Sequence, residues 1–195
     1  MVDEVVYIGG PYSAAVGQED RGSDGNTTTF LEKDALCLAL TQRCFGHVND
    51  ALDAYARTLI VNSWISGLPI QLSQSERVQN AYEDCKAYLT QKVSRTTAAD
   101  VATQQLGQQY ITQLGFWQER PFYTTKNGRI GRGAFNMREG DAVCVFYQAG
   151  PVFILRHEQG SGVWKLIGDA YLHGCMDLDS MPEAGRGSDT TFIIS

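Results

Sequence analysis

Hydrophobic positions in the first part of the chain recur every three or four residues, the spacing that places side chains on one face of a helix. Two of these periodic segments open with a hydroxyl residue three positions before a glutamate, a spacing that caps a helix N-terminus. Gly46 follows the first segment and Gly67-Leu-Pro69 follows the second, and each of these would end a helix. The pattern predicts four helices, near residues 29–46, 49–65, 73–93 and 97–114.

The pattern changes after residue 115, where aromatic and β-branched residues become frequent. Turn-forming pairs such as Asn127-Gly128 and Gly140-Asp141 divide this region into short segments. Because closure protects strand edges that would otherwise be unpaired, short strands at this spacing favour a small closed or nearly closed barrel. We predict strands near residues 121–125, 129–131, 142–148, 152–157, 163–167 and 170–175.

These elements predict an α+β fold, with a small antiparallel β-barrel of six to seven strands packed with a four-helix segment. Residues 1–28 are predicted to hold an N-terminal strand and a flexible loop, residues 29–115 the helical segment and residues 116–195 the β-barrel segment. Residues 4–8 or 191–194 can supply additional strands. The apolar stripes of the helices need a partner surface, so we expect helices and barrel to fold as one cooperative unit.

The net charge and the cysteine content limit the partners and the cellular compartment that the sequence predicts. The formal net charge is −6 and the pI is near 5.0, so no nucleic-acid partner is expected. The apolar runs are far shorter than the roughly 20 residues of a membrane-spanning helix, and no membrane span is expected. The acidic start of the chain does not resemble a signal peptide. Five cysteines in apolar runs are typical of reduced, buried thiols, and we predict a cytoplasmic protein.

Polar residues in the predicted barrel strands are the candidate ligand-binding residues. Strand alternation places Asp169, Tyr171 and His173 on one face of the sheet. Two hypotheses stay open for the whole group of candidates. It forms a structural network of mutual hydrogen bonds, or it lines a pocket at one barrel mouth in which an arginine holds an anionic group. The candidates are Arg156, Asp169, Tyr171, His173 and Asp177.

An enzymatic alternative uses the same region. His173 with Asp169 could serve as acid and base, or Cys144 could be a nucleophile, in a hydrolase or isomerase. A reactive thiol needs an accessible, electropositive setting, whereas Cys144 lies within the apolar run Val-Cys-Val-Phe. His47 and His157 have no other ligand types at zinc-site spacing and are predicted to be surface or cap residues. No metal and no cofactor is expected.

Four stretches of the chain resemble, in order and spacing, the C-terminal helix-plus-β-barrel region of fungal heterokaryon-incompatibility (HET) proteins. Arg57-Thr-Leu-Ile60 is also similar to the stretch that precedes the helical insert in that family. The chain departs from the family pattern with Asp169 in place of a glutamate and His157 in place of a proline. The four stretches are Phe122-Tyr-Thr-Thr-Lys-Asn-Gly-Arg-Ile-Gly-Arg-Gly133, Gly140-Asp-Ala-Val-Cys-Val145, Pro151-Val-Phe-Ile-Leu-Arg156 and Leu166-Ile-Gly-Asp-Ala-Tyr-Leu-His-Gly-Cys-Met-Asp177.

The resemblance covers roughly residues 50–178, and no counterpart of the family's N-terminal HET domain occurs in this sequence. Within the motif, Gly131 and Gly133 are expected to adopt conformations that other residues resist. The resemblance implies a non-enzymatic recognition or regulatory module in nonself recognition and control of programmed cell death. Such a module would act by binding a protein partner or a small ligand.

Overall fold

A computed structural model describes residues 2–9, 30–61, 83, 85, 114–117, 119–146, 152–176 and 191–194. The chain divides into two compact units. The first combines Met1–Pro11 with Glu119–Ser195, and the second comprises Tyr12–Gln118. The start of the chain therefore belongs with its last third, and the second unit, whose described residues are mainly helical, lies between them in the sequence.

Two helices of the inserted unit are described, α1 (Phe30–Phe45) and α2 (Val48–Leu59). They pack against each other. Helix α1 ends at Gly46, whose φ of 74° suits glycine, in agreement with the sequence pattern. His47 is the exposed N-cap of α2, and His157 is exposed in the barrel unit, which confirms the prediction for both. Helix α2 ends before the predicted residue 65, because Val61 adopts a φ of 48°.

The predicted four-helix segment is not supported by the described residues. The third and fourth predicted helices lie largely outside them, although Glu83, Cys85 and residues 114–116 are helical. No helix within the described ranges is long and apolar enough to cross a membrane. The flexible loop predicted between the N-terminal strand and the first helix also lies outside the described part of the chain.

Six strands form the other unit, and every neighbouring pair is antiparallel. They close into a barrel in the order β1-β2-β3-β6-β5-β4. Because β1 pairs with both β2 and β4, it closes the ring. The strands are β1 (Val2–Ile8), β2 (Phe122–Thr125), β3 (Ile130–Arg132), β4 (Ala142–Val145), β5 (Val152–His157) and β6 (Trp164–Leu172).

The predicted closed barrel is confirmed, with two differences in its strands. The predicted strands at residues 163–167 and 170–175 are one continuous strand, β6, because Gly168 does not end it. Residues 191–194 contribute one parallel bridge, between Ile194 and Trp164, and not a full strand. The predicted strand residues 147 and 148 lie outside the described part of the chain.

Alternation along β4 separates two apolar clusters. Val143 points into the barrel, while Ala142 and Cys144 point to the outer face. The outer cluster also contains Leu155 and is covered by partly buried aromatic side chains. The buried interior consists of Val5, Tyr123, Met137, Val143, Val152, Ile154, Ala170, Leu172 and Cys175.

Gly131 and Gly133 are required by close packing and not by an unusual conformation. Neither has a positive φ, so the reason expected from the sequence is wrong. A Cβ on Gly131 would lie 2.5 Å from Tyr123 Cζ and 2.2 Å from the carbonyl oxygen of Tyr171. A Cβ on Gly133 would lie 2.0 Å from the sulfur of Met137. The two glycines thus leave room for the tyrosine and methionine that fill the barrel.

Candidate functional site

A cleft of about 340 Å³ opens beside β1, on the barrel unit. Its lining combines residues of β1, of the β2–β3 hairpin, of the turn before β4, of the start of β4 and of the start of β6. The lining contains two carboxylates, an ammonium, an amide and an indole. The residues are Asp3, Glu4, Lys126, Asn127, Gly140, Ala142 and Trp164.

Asp3 is the buried acid of this cleft, with 4% of its surface exposed. Its Oδ2 accepts hydrogen bonds from Thr125 Oγ1 at 2.7 Å and from Arg129 Nη1 at 3.3 Å. Its Oδ1 accepts from the backbone N–H of Glu4 at 2.9 Å and of Asn127 at 3.3 Å. The carboxylate is therefore fully paired, and it ties β1 to the β2–β3 hairpin.

Sequence reasoning missed Asp3, which it used only as part of an acidic chain start. The signal was present, because Asp3 shares the inward-facing register of Val5 on a β-strand. The register pairs Asp3 with Val143, a residue of the barrel interior. A carboxylate at an inward position of a strand needs partners and so marks a structural or binding role.

Two exposed charges stand at the mouth of the cleft. Lys126 Nζ lies 3.7 Å from Glu4 Oε2, and the two side chains are 71% and 52% exposed. An exposed pair of this length contributes little to stability. Both groups are therefore free to exchange this contact for one with a bound molecule.

Arg156, the predicted anion-holding residue, instead pairs with Asp141. Its Nε and Nη2 donate to the two carboxylate oxygens at 2.8 Å and 2.9 Å, and Nη2 also donates to the Asn136 carbonyl at 2.8 Å. These hydrogen bonds to Asp141 raise the pKa of the Arg156 guanidinium. Asp141 Oδ2 also accepts from the Arg138 backbone N–H at 2.7 Å. The ion pair between Arg156 and Asp141 joins β5 to the turn that precedes β4.

Asp169 lies on β6 and pairs with Arg120, a residue that sequence reasoning did not single out. Arg120 Nη2 lies 2.7 Å from Asp169 Oδ2, and Nη1 donates to the Asp169 carbonyl at 3.1 Å. The Asp169 side chain is 57% exposed. The carboxylate expected beside His173 is thus engaged elsewhere.

Tyr171 and His173 are brought together, as their shared strand face predicts. Tyr171 Oη lies 3.1 Å from His173 Nδ1, and the two ring centroids are 6.3 Å apart. The Tyr171 carbonyl accepts a hydrogen bond from Tyr123 Oη at 3.1 Å inside the barrel. Burial raises the pKa of the Tyr123 phenol well above its ordinary range, so Tyr123 acts as a donor.

The remaining candidates are Asp177 and Cys144. Asp177 lies outside the described residues. Cys144 is fully buried, and burial raises the pKa of its thiol to about 11. A thiol with this pKa is almost entirely protonated near neutral pH, so the geometry gives no support to a nucleophilic role. Within the described residues, no group of His, Cys, Asp and Glu is placed to hold a metal ion.

Comparison with known proteins identifies a family for the chain. The model of the family described as Het-6 beta-barrel domain matches residues 49–189. No curated protein and no solved structure shows a significant match to the chain. The matched residues contain all of helix α2 except its first residue, and five of the six barrel strands, β2 to β6.

Proposed function

Because the chain belongs to the Het-6 β-barrel domain family, we propose that it is a non-enzymatic recognition module of fungal nonself recognition. In this proposal it acts in the cytoplasm and controls programmed cell death by binding a protein partner or a small ligand. The cleft beside β1 is the observation that carries the proposal.

The size and chemistry of the cleft support binding. Its volume of about 340 Å³ is near the lower end of the range for ligand pockets, so it suits a peptide side chain or a small polar molecule. Trp164 offers an apolar wall, and Asn127 and Lys126 offer hydrogen-bond donors. The fully paired Asp3 fixes the hairpin that carries these donors, so the lining is organised before a ligand arrives.

The candidates that sequence reasoning identified divide between two roles. We propose that Arg156 and Asp169 are structural, because each is engaged in an ion pair. Tyr171 and His173 do not line the cleft, and they remain proposed ligand contacts at a separate position. The alternative of a hydrolase or isomerase gains no support from Asp169, since its carboxylate is engaged by Arg120.

Site-specific photo-crosslinking tests the proposal. A photoreactive amino acid replaces Asn127 in the cleft and, in a matched control, exposed Asp50 on α2. We expect the Asn127 variant, expressed in fungal cells during fusion of incompatible strains, to form a discrete adduct that is absent with the Asp50 variant. Identical adduct patterns for the two variants, or no adduct from either, would contradict a binding role for the cleft.

A further inference from the structure

An apolar patch on the outer face of the barrel shares Ala142 and Trp164 with the cleft, and another part of the chain covers it. Its floor consists of the buried side chains Ala142, Cys144 and Leu155, and partly buried Phe146 and Trp164 stand beside them. These five residues are called the outer groove below. Phe192 packs into it, with its ring 5.2 Å from Trp164 at 89° and 6.3 Å from Phe146 at 73°. Both contacts have the edge-to-face geometry that aromatic pairs prefer.

The backbone of residues 191–194 adds to the contact. The Trp164 N–H donates to the Ile193 carbonyl at 2.7 Å, and Ile194 forms a parallel bridge with Trp164. Main-chain hydrogen bonding at a strand edge, together with one side chain in a pocket, is how sheets bind extended peptides. The segment therefore occupies the outer groove in the manner of a peptide ligand.

The anchoring of this segment is local. Ile193 is 66% exposed and Ile194 is 44% exposed, so among residues 191–194 Phe192 provides the apolar anchor. By contrast, β1 is paired with a neighbouring strand on both edges. Segments with few buried contacts open at a lower free-energy cost than the core of a fold. The segment can therefore leave the outer groove while the barrel stays closed.

We propose that the outer groove is a peptide-binding site that residues 191–194 occupy within the chain. The partner is an extended protein segment in which an aromatic residue is followed by branched aliphatic residues, as in Phe192-Ile-Ile194. It replaces the internal segment by placing its aromatic ring between Trp164 and Phe146. This inference goes beyond the cleft described above and does not rest on its function.

Cys144 reports the state of the outer groove, because its thiol lies in the floor beneath Phe192. In the full chain carrying Phe192→Ala, we expect iodoacetamide to label Cys144 at least about tenfold faster than in the unsubstituted chain. Cys37, Cys85 and Cys175, which are buried elsewhere, should keep their original labelling rates. Peptide mass spectrometry resolves the individual cysteines.

A synthetic peptide supplies the proposed partner chemistry. Asp-Thr-Thr-Phe-Ile-Ile-Ser, the sequence of residues 189–195, should restore protection of Cys144 in the Phe192→Ala chain. The same peptide with alanine in place of phenylalanine should not. Ile193→Ser is the matched control in the chain, since its exposed side chain can change while Phe192 remains in place, and it should leave Cys144 protected.

Three results would overturn the proposal. Unchanged labelling of Cys144 in Phe192→Ala would show that the groove closes without the segment. Equal acceleration at all four buried cysteines would show that the segment is part of the cooperative fold. The third result is protection of Cys144 that rises with chain concentration, together with a dimer in sedimentation and no effect of the peptide. It would show that a second copy of the chain binds the outer groove.

Discussion

The pair formed by Arg156 and Asp141 shows how a single buried carboxylate organises this barrel. Asp141 is 2% exposed and accepts hydrogen bonds from one guanidinium and one backbone N–H. Removal of one partner from such an arrangement leaves the other without compensation, which costs far more than the loss of an exposed pair. Arg156 therefore links β5 to the turn that precedes β4 through this ion pair.

We expect Asp141→Ala to lower the free energy of unfolding by about 3 kcal/mol, because the Arg156 charge and the Arg138 N–H lose their acceptor. Urea unfolding followed by circular dichroism measures the change. Lys126→Ala, which removes an exposed charge pair, is the control and should change the value by less than about 0.5 kcal/mol. Equal effects of the two substitutions would contradict the structural role of Asp141.

The buried thiol of Cys144 makes stability depend on alkaline pH. Burial raises its pKa from 9.0 to about 11, so the unfolded chain releases this proton at lower pH than the folded chain. The folded state then binds more protons between these values, and the free energy of unfolding falls as pH rises from about 9 to 11. Burial also raises the pKa values of Cys175 and Tyr123, which add to the same trend.

In Cys144→Ala, the fall in unfolding free energy between pH 9 and 11 should be smaller by about 2 kcal/mol. Urea unfolding at a series of pH values measures the two slopes. The comparison is between slopes, so any constant loss from the smaller side chain cancels. Parallel curves for the two proteins would show that Cys144 is accessible to solvent in the folded state.

At the scale of residues, sequence alternation identified neighbours along one strand but not partners across strands. It placed Tyr171 beside His173, and the structure agrees. It could not anticipate that Arg156 pairs with Asp141, because that contact depends on the register of β4 against β5, which places Ala142 opposite Leu155 and which no local pattern specifies. Arg120, which engages Asp169, was missed because it precedes the first predicted strand and carries no local pattern.

At the scale of elements, the β2–β3 hairpin is stabilised by the packing of the Tyr123 ring against Gly131. We expect Gly131→Ala to lower the free energy of unfolding by about 3 kcal/mol or more, since a methyl group would overlap both the ring and the Tyr171 carbonyl. Thermal unfolding of the purified variants measures the effect. Gly115→Ala is the control, because nothing lies within 4 Å of its added Cβ and its φ is not positive. A similar small change in both variants would contradict the packing described here.

The elements that the sequence predicted well are those with a local chemical signal. Glycine at residues 46 and 128 marks the end of α1 and the first hairpin turn, and both adopt a positive φ. The sequence pattern predicted two separate strands, at residues 163–167 and 170–175, where the structure has the single strand β6. In the structure the missing side chain of Gly168 accommodates Ala134 Cβ, which would lie 2.9 Å from a Cβ at residue 168.

At the scale of the whole molecule, β1 determines whether the barrel can close. We expect Val5→Pro to remove amide protection from both β2 and β4, because the substitution eliminates the hydrogen bond from Val5 N–H to the Asp141 carbonyl and disrupts β1. Hydrogen exchange with mass spectrometry measures protection strand by strand. Val6→Thr, at a position 46% exposed, is the control. Loss of protection confined to β1 would contradict its role in closure.

The family resemblance predicted a β-barrel directly, whereas the spacing of the strands alone favoured a closed or nearly closed barrel. Pairing of β1 with β2 across the inserted unit is a long-range contact, and no local signal specifies its register. The division into two compact units was likewise not evident from the apolar stripes of the helices. Cooperative folding of these units stays a prediction, which calorimetry of the whole chain can examine.

We propose that the cleft beside β1 carries recognition in the living cell. Asn127→Trp fills the cleft with an indole, whereas Asp50→Trp places the same side chain at an exposed position on α2. The most direct measurement is the fraction of fused cells that die when strains carrying each variant meet an incompatible strain. We expect Asn127→Trp to change this fraction at least about tenfold. At equal protein levels, Asp50→Trp should give the same fraction as the parent chain. An unchanged fraction for Asn127→Trp would contradict this proposal.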